Sequence, residues 1–581
     1  MKVAVVGSGV AGLGATWALN EHSEHEVHLF ESSAHHIGGH SNTVSFRAPS
    51  GAKSGAGETP VDTGFIVFNE VTYPNFLRFL THIEAPILVS DMSFAVSRTK
   101  ALVEPSFQLP FSRSYFPSLP RHIRSNNANT RKERGAFEWA GSTPLALFCQ
   151  WSNLFDPSHW RMIWDIIRFN HQSIESLREW EASEVTDAQA EAEEETIGQW
   201  LDQRRYGPNF RRNYLIPMTA SIWSTPPKTA FGAFPARTLL RFLHNHHLLQ
   251  ILNHPQWLTI QGGSKTYVER VLQKLPRAQL HQGQESGHVV KAFPGNKGKW
   301  IIERQGGKTE EFDRVVFACH ADVTTEILAA DEAMMEKDDI GVQLKRCLKE
   351  FKFSKNTAVL HSDETLMPVR RVAWSAWNFM AESSEQDFQD DVDSVTLTYW
   401  MNLLQSLSED VFGPVLVTLN PPKGTPDPAK VVASFDYEHP LYTSKSVRAQ
   451  AALESLQGKW RGARFAGAWT NYGFHEDGFS SGVRAAVALG AKVPFEVRPA
   501  ERSLPHSSRI RAATFLLAER IREAIAGPAC LILAPFIVIC TLVLEAIMNA
   551  FTLLLVGPAS PSATRNELRN VRKAWEKSLL L

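Results

Sequence analysis

Gly7, Gly9 and Gly12 stand in the spacing Gly-x-Gly-x-x-Gly, directly after an apolar run from Val3 to Val6 and ahead of a helical stretch that opens on Val10 and Ala11. A second apolar run, Val27 to Phe30, ends on Glu31 and Ser32. Residue types in this order suit recognition of a diphosphate. Gly7 permits a tight turn, Gly9 lets the backbone approach a pyrophosphate, and Gly12 allows close packing of helix on strand. The helix start offers free N–H groups and a positive dipole end to an anion. Glu31 is placed to accept hydrogen bonds from a ribose diol. The segment therefore reads as a dinucleotide-binding βαβ unit.

The following residues separate flavin from nicotinamide. A carboxylate at the end of the second strand repels a 2′-phosphate, which argues against NADP. Gly38 and Gly39, followed by His40, let the chain pass close to a diphosphate shortly after the ribose-binding acid. Two later blocks agree with FAD. Phe312 to Asp322 is an apolar strand ending in small and polar residues. Arg464 to Trp469 is a strand leading into a glycine-rich turn (Gly473, Gly478, Gly482), with a helix predicted over Val483–Leu489. Its dipole would stabilise the negative charge that develops on a flavin pyrimidine edge during reduction. Val290, Gly467, Asp477 and Gly478 complete the predicted cofactor contacts.

These blocks resemble the flavin-containing amine oxidase and acyl desaturase superfamily. Further motifs narrow the resemblance: Val61-Asp62-Thr63-Gly64-Phe65, Ile216-Pro217-Met218-Thr219-Ala220-Ser221-Ile222-Trp223, Trp257 to Ser264, Thr398-Tyr399-Trp400-Met401-Asn402 and Tyr472-Gly473-Phe474-His475-Glu476-Asp477-Gly478. With them the chain is similar, over about residues 1–490, to predicted NAD/FAD-binding oxidoreductases associated with cyclopropane-fatty-acid synthases. The resemblance implies an FAD-dependent oxidoreductase acting on lipid or acyl substrates. Two departures stand out. Amine oxidases carry Arg after the glycine pair, where this chain has His40. Covalent flavoproteins place a Cys near the C-terminal turn, and Trp469 to Ser481 holds none, so FAD is expected to be non-covalent.

The elements that must position these residues form an α/β chain: a Rossmann-type, amine-oxidase-like FAD-binding domain, an interleaved α+β substrate domain and a hydrophobic C-terminal tail. The predicted FAD-binding pieces are 1–75, 255–330 and 455–492; the substrate domain takes 76–254 and 331–454. Residues 116–136 read as a polar, basic surface insertion, and the acidic run Glu191–Glu195 precedes a helix starting at Thr196. Length supports more than one domain, at 581 residues. A net charge of −1 gives no electrostatic case for nucleic acid. Cys149, Cys319, Cys347, Cys530 and Cys540 are scattered and without a Cys-x-x-Cys, which argues against a disulfide framework and a metal site.

The tail (500–581) holds an uncharged run, Ala529–Leu544; Glu545 and Asn549 interrupt it, and apolarity resumes to Val556. That is long enough to span a bilayer, which takes about 20 residues. Basic residues flank both sides, so orientation stays open. Membrane attachment, as a span or an interfacial anchor, is expected, with the catalytic domain in the cytosol and no signal peptide before the first strand.

The predicted chemistry is hydride transfer at flavin N5 to or from an apolar substrate, with amine oxidation to imine and hydrogen peroxide as the alternative and a non-catalytic flavin-binding protein as the second. His475, Glu476 and Asp477 are the candidates for proton transfer, against a capping role. Trp469 and Tyr472 are candidates for an aromatic pair facing an amine. Arg370 and Arg371 are candidates for a head-group contact, against surface ion pairs.

Overall fold

In the computed structural model, residues 1–47, 57–101, 132–182, 195–224, 234–250, 254–329, 335–383 and 396–505 are described, with the single positions 520 and 543. Strand β1 (Lys2–Val6), helix α1 (Val10–His22) and strand β2 (Glu26–Glu31) form the opening unit as predicted. β1 is buried beyond its first residue because both faces of a parallel sheet are covered. The sheet has five strands in the order Leu280–Gln282, β2, β1, Arg314–Phe317 and Arg464–Phe465, all parallel. A three-stranded antiparallel sheet (Val289–Pro294, Trp300–Arg304, Thr309–Phe312) leads into its fourth strand.

One face of the parallel sheet is covered by α1 and the final helix His475–Val487. Their backbones meet through glycine: a Cβ on Gly482 would stand 1.9 Å from Ala11 O, and one on Gly478 would stand 2.6 Å from Val10 Cγ1. This corrects the predicted helix start. The helix begins at His475, not at Val483, because Asp477 accepts from the Phe474 N–H at 2.9 Å and closes the first turn. Gly478 and Gly482 thus serve helix packing rather than a turn. Helix Pro74–His82 adds Phe76, Leu77, Phe79 and Leu80 to the same core as Trp17 and Phe479. On the other face, Leu344, Cys347 and Leu348 pack with Ala449 and Leu453 against Ala4, Val6 and Phe30. The core under the parallel sheet therefore takes in three helices from the stretches read as substrate domain.

The second layer is a seven-stranded sheet in the order Val431–Leu441, Lys352–His361, Leu416–Leu419, Thr396–Trp400, Trp377–Ser383, Phe94–Ala101 and Lys132–Ala140. Helices Pro157–Ala182, Ile197–Gln203, Ile216–Trp223 and Ala236–Asn245 share its apolar core, which includes Phe169, Trp200, Phe210, Leu240, Phe379 and Val417. Thr196 caps its helix with Gln199 in a capping box, as expected from the acidic run before it. Because sheet begins at Lys132, the last five residues read as insertion are strand.

Residues 116–131, Glu191 to Glu194, Thr225–Pro226 and, apart from position 543, the apolar run 529–556, with Cys530 and Cys540, lie outside the described residues. Among the described residues, no helix is long and apolar enough to cross a membrane.

The helix contact yields the first prediction. Gly482→Ala drives a methyl into the Ala11 carbonyl, where neither backbone has room to yield, and lowers stability by about 1–3 kcal/mol or more. Thermal denaturation reads this as a lower Tm; an unchanged Tm would contradict the packing described.

Candidate active site and cofactor cleft

The C-terminal edge of the parallel sheet is where loops from neighbouring strands diverge and ligands bind. Gly7 has φ +104°, and a Cβ there would stand 2.8 Å from Ala318 O, so the turn accepts only glycine. A Cβ on Gly9 would meet nothing within 4 Å: the surface above it is open. Gly39 crosses over it, with its own added Cβ 3.1 Å from Gly9 Cα. No side chain caps the start of α1, and no acidic residue sits in its first turn. The amides of Val10, Ala11 and Gly12 have no partner within the helix, as in any first turn.

Ser8 holds this loop together. Its N–H and Oγ donate to Glu31 Oε2 at 3.2 and 2.5 Å, and the Gly38 N–H donates to Ser8 Oγ at 3.2 Å. The Ser33 N–H donates to Glu31 Oε1 at 2.8 Å. Glu31 is thereby fixed at the end of β2, with Ser32 exposed beside it. Val290 sits at a register irregularity: Val289 pairs with Arg304 and Lys291 with Glu303, so the ladder skips it. Such a bulge frees the backbone polar groups of one residue from the sheet. Open glycine backbone, fixed carboxylate and freed strand amide fit the diphosphate, ribose and adenine of FAD.

The final helix carries the three predicted proton-transfer candidates, and all three are buried. His475 stacks on Phe65 with ring centroids 3.6 Å apart and bonds through Nε2 to Tyr267 Oη at 2.9 Å. Tyr267 in turn bonds Ser41, two residues beyond Gly39. Burial pushes the His475 imidazole down to about 3, so it stays neutral. Glu476 caps helix Pro74–His82: it accepts from the Asn75 N–H at 3.2 Å, Asn75 Nδ2 at 2.7 Å and the Phe76 N–H at 2.9 Å, and from Ser480 Oγ at 2.8 Å. Asp477 accepts from Asn471 Nδ2 at 2.8 Å as well as from the Phe474 N–H. The capping reading describes Glu476 and Asp477; His475 braces the glycine loop.

Other candidates are also engaged. Trp469 donates to Cys319 O at 3.1 Å and packs on Phe351 in the core under the parallel sheet, whereas Tyr472 lies with Phe242 in the other core. They do not form a facing pair. Arg370 bonds the fully buried Glu138 at 2.9 Å, and Arg371 pairs with Glu409 while stacking on Trp374. Asp62, fully buried, ties the layers together: it accepts from Thr43 Oγ1 at 2.6 Å, Ser264 N at 2.9 Å and Gln405 Nε2 at 3.2 Å. Burial pushes it up to about 6, although these donors pull the other way.

Sequence reasoning missed the groups that tertiary structure brings to the cleft. Tyr437 and His439, on the edge strand of the seven-stranded sheet, meet His40 with ring centroids 4.9 and 5.2 Å away. Tyr437 Oη also bonds Asn42 and Thr63. Beside the Tyr472–Phe474 turn, Trp223, Phe234, Phe242 and Tyr442 form an aromatic wall. Tyr442 Oη is buried without a hydrogen-bond partner, 2.7 Å from where a Cβ on Gly473 would stand. No local motif in the sequence marks Tyr437 or Tyr442, and neither was singled out there.

A family model for an NAD(P)-binding Rossmann-like domain matches residues 5–83. No curated protein matches the chain. Among solved structures, the cyclohexylamine oxidase of Brevibacterium oxydans IH-35A is similar over 84% of this chain and 98% of its own, at 13% identity and a TM-score of 0.52. A mutant of putrescine oxidase, from a structure-based redesign of its cofactor binding, covers the same shares at 12% identity and 0.52. A putative protoporphyrinogen oxidase from Exiguobacterium sp. 255-15 does so at 11% identity and 0.51. The chain has the amine oxidase fold. Within that fold its glycine loop is continued by His40 and braced by His475, and the final helix presents buried carboxylates to neighbouring backbone.

Burial pushes the Glu476 carboxyl from an ordinary 4.5 up to about 7 against its hydrogen bonds. A carboxyl raised in the folded state favours folding most below its unfolded value. That contribution fades as pH climbs through about 4.5 to 7. Glu476→Gln removes this slope from the stability–pH curve and leaves a backbone N–H poorly paired, at a cost of about 1–3 kcal/mol. Chemical denaturation across pH checks both; an unaltered slope would exclude the assignment.

Proposed function

We propose that the chain is an FAD-dependent oxidoreductase that transfers a hydride between an apolar, lipid-like substrate and non-covalently held flavin. The observation that carries this reading is the open surface over Gly9, crossed by Gly39, at the C-terminal edge of a five-stranded parallel sheet. The amides of Val10, Ala11 and Gly12 and the Gly39 backbone would hold the diphosphate. Glu31 would take the ribose hydroxyls, and the freed backbone of Val290 the adenine edge. Bound there, FAD supplies a two-electron acceptor that no side chain provides.

The chain's own residues bind, orient and exclude water. Trp223, Phe234, Phe242 and Phe474 supply an apolar wall suited to hydrocarbon. The unpartnered Tyr442 hydroxyl offers that wall one hydrogen bond for a polar substrate end. Trp469 and Tyr472 lie in separate cores and so do not make the sandwich of aromatic rings an amine would need. The apolar segment 529–556 supports attachment of the whole to a membrane that holds such substrates.

Because a Cβ on Gly9 would meet nothing within 4 Å, Gly9→Val should fold with little change in apo-protein Tm yet purify colourless, while the native chain shows the visible flavin bands. A yellow variant would refute the placement of the cofactor. Anaerobic titration checks the substrate class: acyl lipids should bleach the flavin, and simple amines should not. Bleaching by amines alone would favour amine oxidation, and bleaching by no donor would favour a non-catalytic flavoprotein.

A further inference from the structure

Three histidines from three separate elements converge beside the glycine loop. His40 follows Gly39. His320 stands at the start of helix Ala321–Leu328, immediately after the Ala318 and Cys319 backbone that packs on Gly7. His439 comes from the edge strand of the second sheet. The His40 and His439 rings lie 5.2 Å apart. All three are half-buried. Each comes from an element that the fold, not the local chain, brings to this edge.

We propose that His40, His320 and His439 form a protonatable anion-binding cluster that takes up protons when the diphosphate of FAD binds, so that cofactor affinity rises as pH falls. This rests on the FAD reading above.

The electrostatics support it. The charged groups acting most strongly on His40 are other histidines: His439, His320, His475 from the final helix and His36 from the glycine loop. His36 Nε2 lies 2.8 Å from Gly39 O and steadies the loop. His320 is the charged group acting on His439, whose Nδ1 meets Asn356 Nδ2 at 3.0 Å. His320 faces Asp322 from its own helix and Glu438 from the edge strand, 3.5 Å away, and stacks on Phe353. Tyr437 closes the remaining side of His40.

Burial, and then repulsion from other histidines, depresses His40 and His439, the latter to about 4, while burial depresses His320 against the pull of Asp322 and Glu438. A nearby dianion favours their charged forms and moves their titration upward. Between the free and bound values, binding consumes protons. A permanently charged arginine at position 40 would bind the same anion with no such dependence.

The test uses the full chain stripped of flavin. FAD affinity is measured by flavin fluorescence from about pH 5.5 to about pH 8, and proton uptake by calorimetry in two buffers of different ionisation enthalpy. Kd should rise with pH, by up to about tenfold per unit for each proton taken up. Uptake should be positive near pH 6.5, the ordinary histidine value. His40→Gln and His439→Gln should flatten the profile, and His40→Arg should flatten it while retaining tight binding. The uptake measurement needs no variant, so a misfolded mutant does not spoil the test. A Kd that changes less than about twofold, with no proton uptake, overturns the histidine proposal and leaves the FAD reading intact. Failure to bind FAD at any pH overturns both.

Discussion

Backbone pressed against backbone at the sheet's C-terminal edge is the constraint on which the rest depends. An added Cβ would stand 1.8 Å from Gly7 O at Gly12, 1.9 Å from Ala11 O at Gly482 and 2.8 Å from Ala318 O at Gly7. Side chains are absent there because the first loop, α1, the fourth strand's exit and the final helix all need the same space. Close approach leaves the start of α1 uncapped and the surface over Gly9 bare, and a bare helix start is an anion site. Gly7, Gly12 and Gly482 serve close packing, and Gly9 between them leaves open surface.

Around that edge, buried polar groups act as fasteners between elements far apart in the chain. Ser8 joins Glu31 to the glycine pair, Glu476 ties the final helix to the start of Pro74–His82, and Asp62 ties a hairpin to Ser264 and Gln405. Each carboxylate meets several donors, as burial of charge demands. The conspicuous acids and His475 beside the turn are therefore supports of the cleft. Beside them stand half-buried histidines and glycine backbone, and the buried Tyr442 hydroxyl has no hydrogen-bond partner among the described residues.

The first 40 residues were legible because their information is local: short apolar runs, glycines at turn spacing and an acid at a strand end each have a meaning within a few residues. The same holds for the helix at Thr196, which stands where sequence places it. The final helix was misplaced because Gly478 and Gly482 carry two meanings. In isolation they weaken a helix; against α1 they are required for contact, and that contact is invisible along the chain. Trp469 and Tyr472 looked like a pair for a similar reason, since three positions of separation say nothing about which side of a sheet each ring will enter.

Sequence alone determined the glycine-turn βαβ unit, the acid at its second strand's end and the mixed α/β character, because apolar runs and turn chemistry act over short distances. Tertiary structure alone decided that His475, Glu476 and Asp477 are buried and hydrogen-bonded, and that the rings of His40 and His439 meet. Those outcomes depend on segments hundreds of positions apart reaching one sheet edge, and side-chain burial, on which charge and reactivity depend, exists only after they arrive.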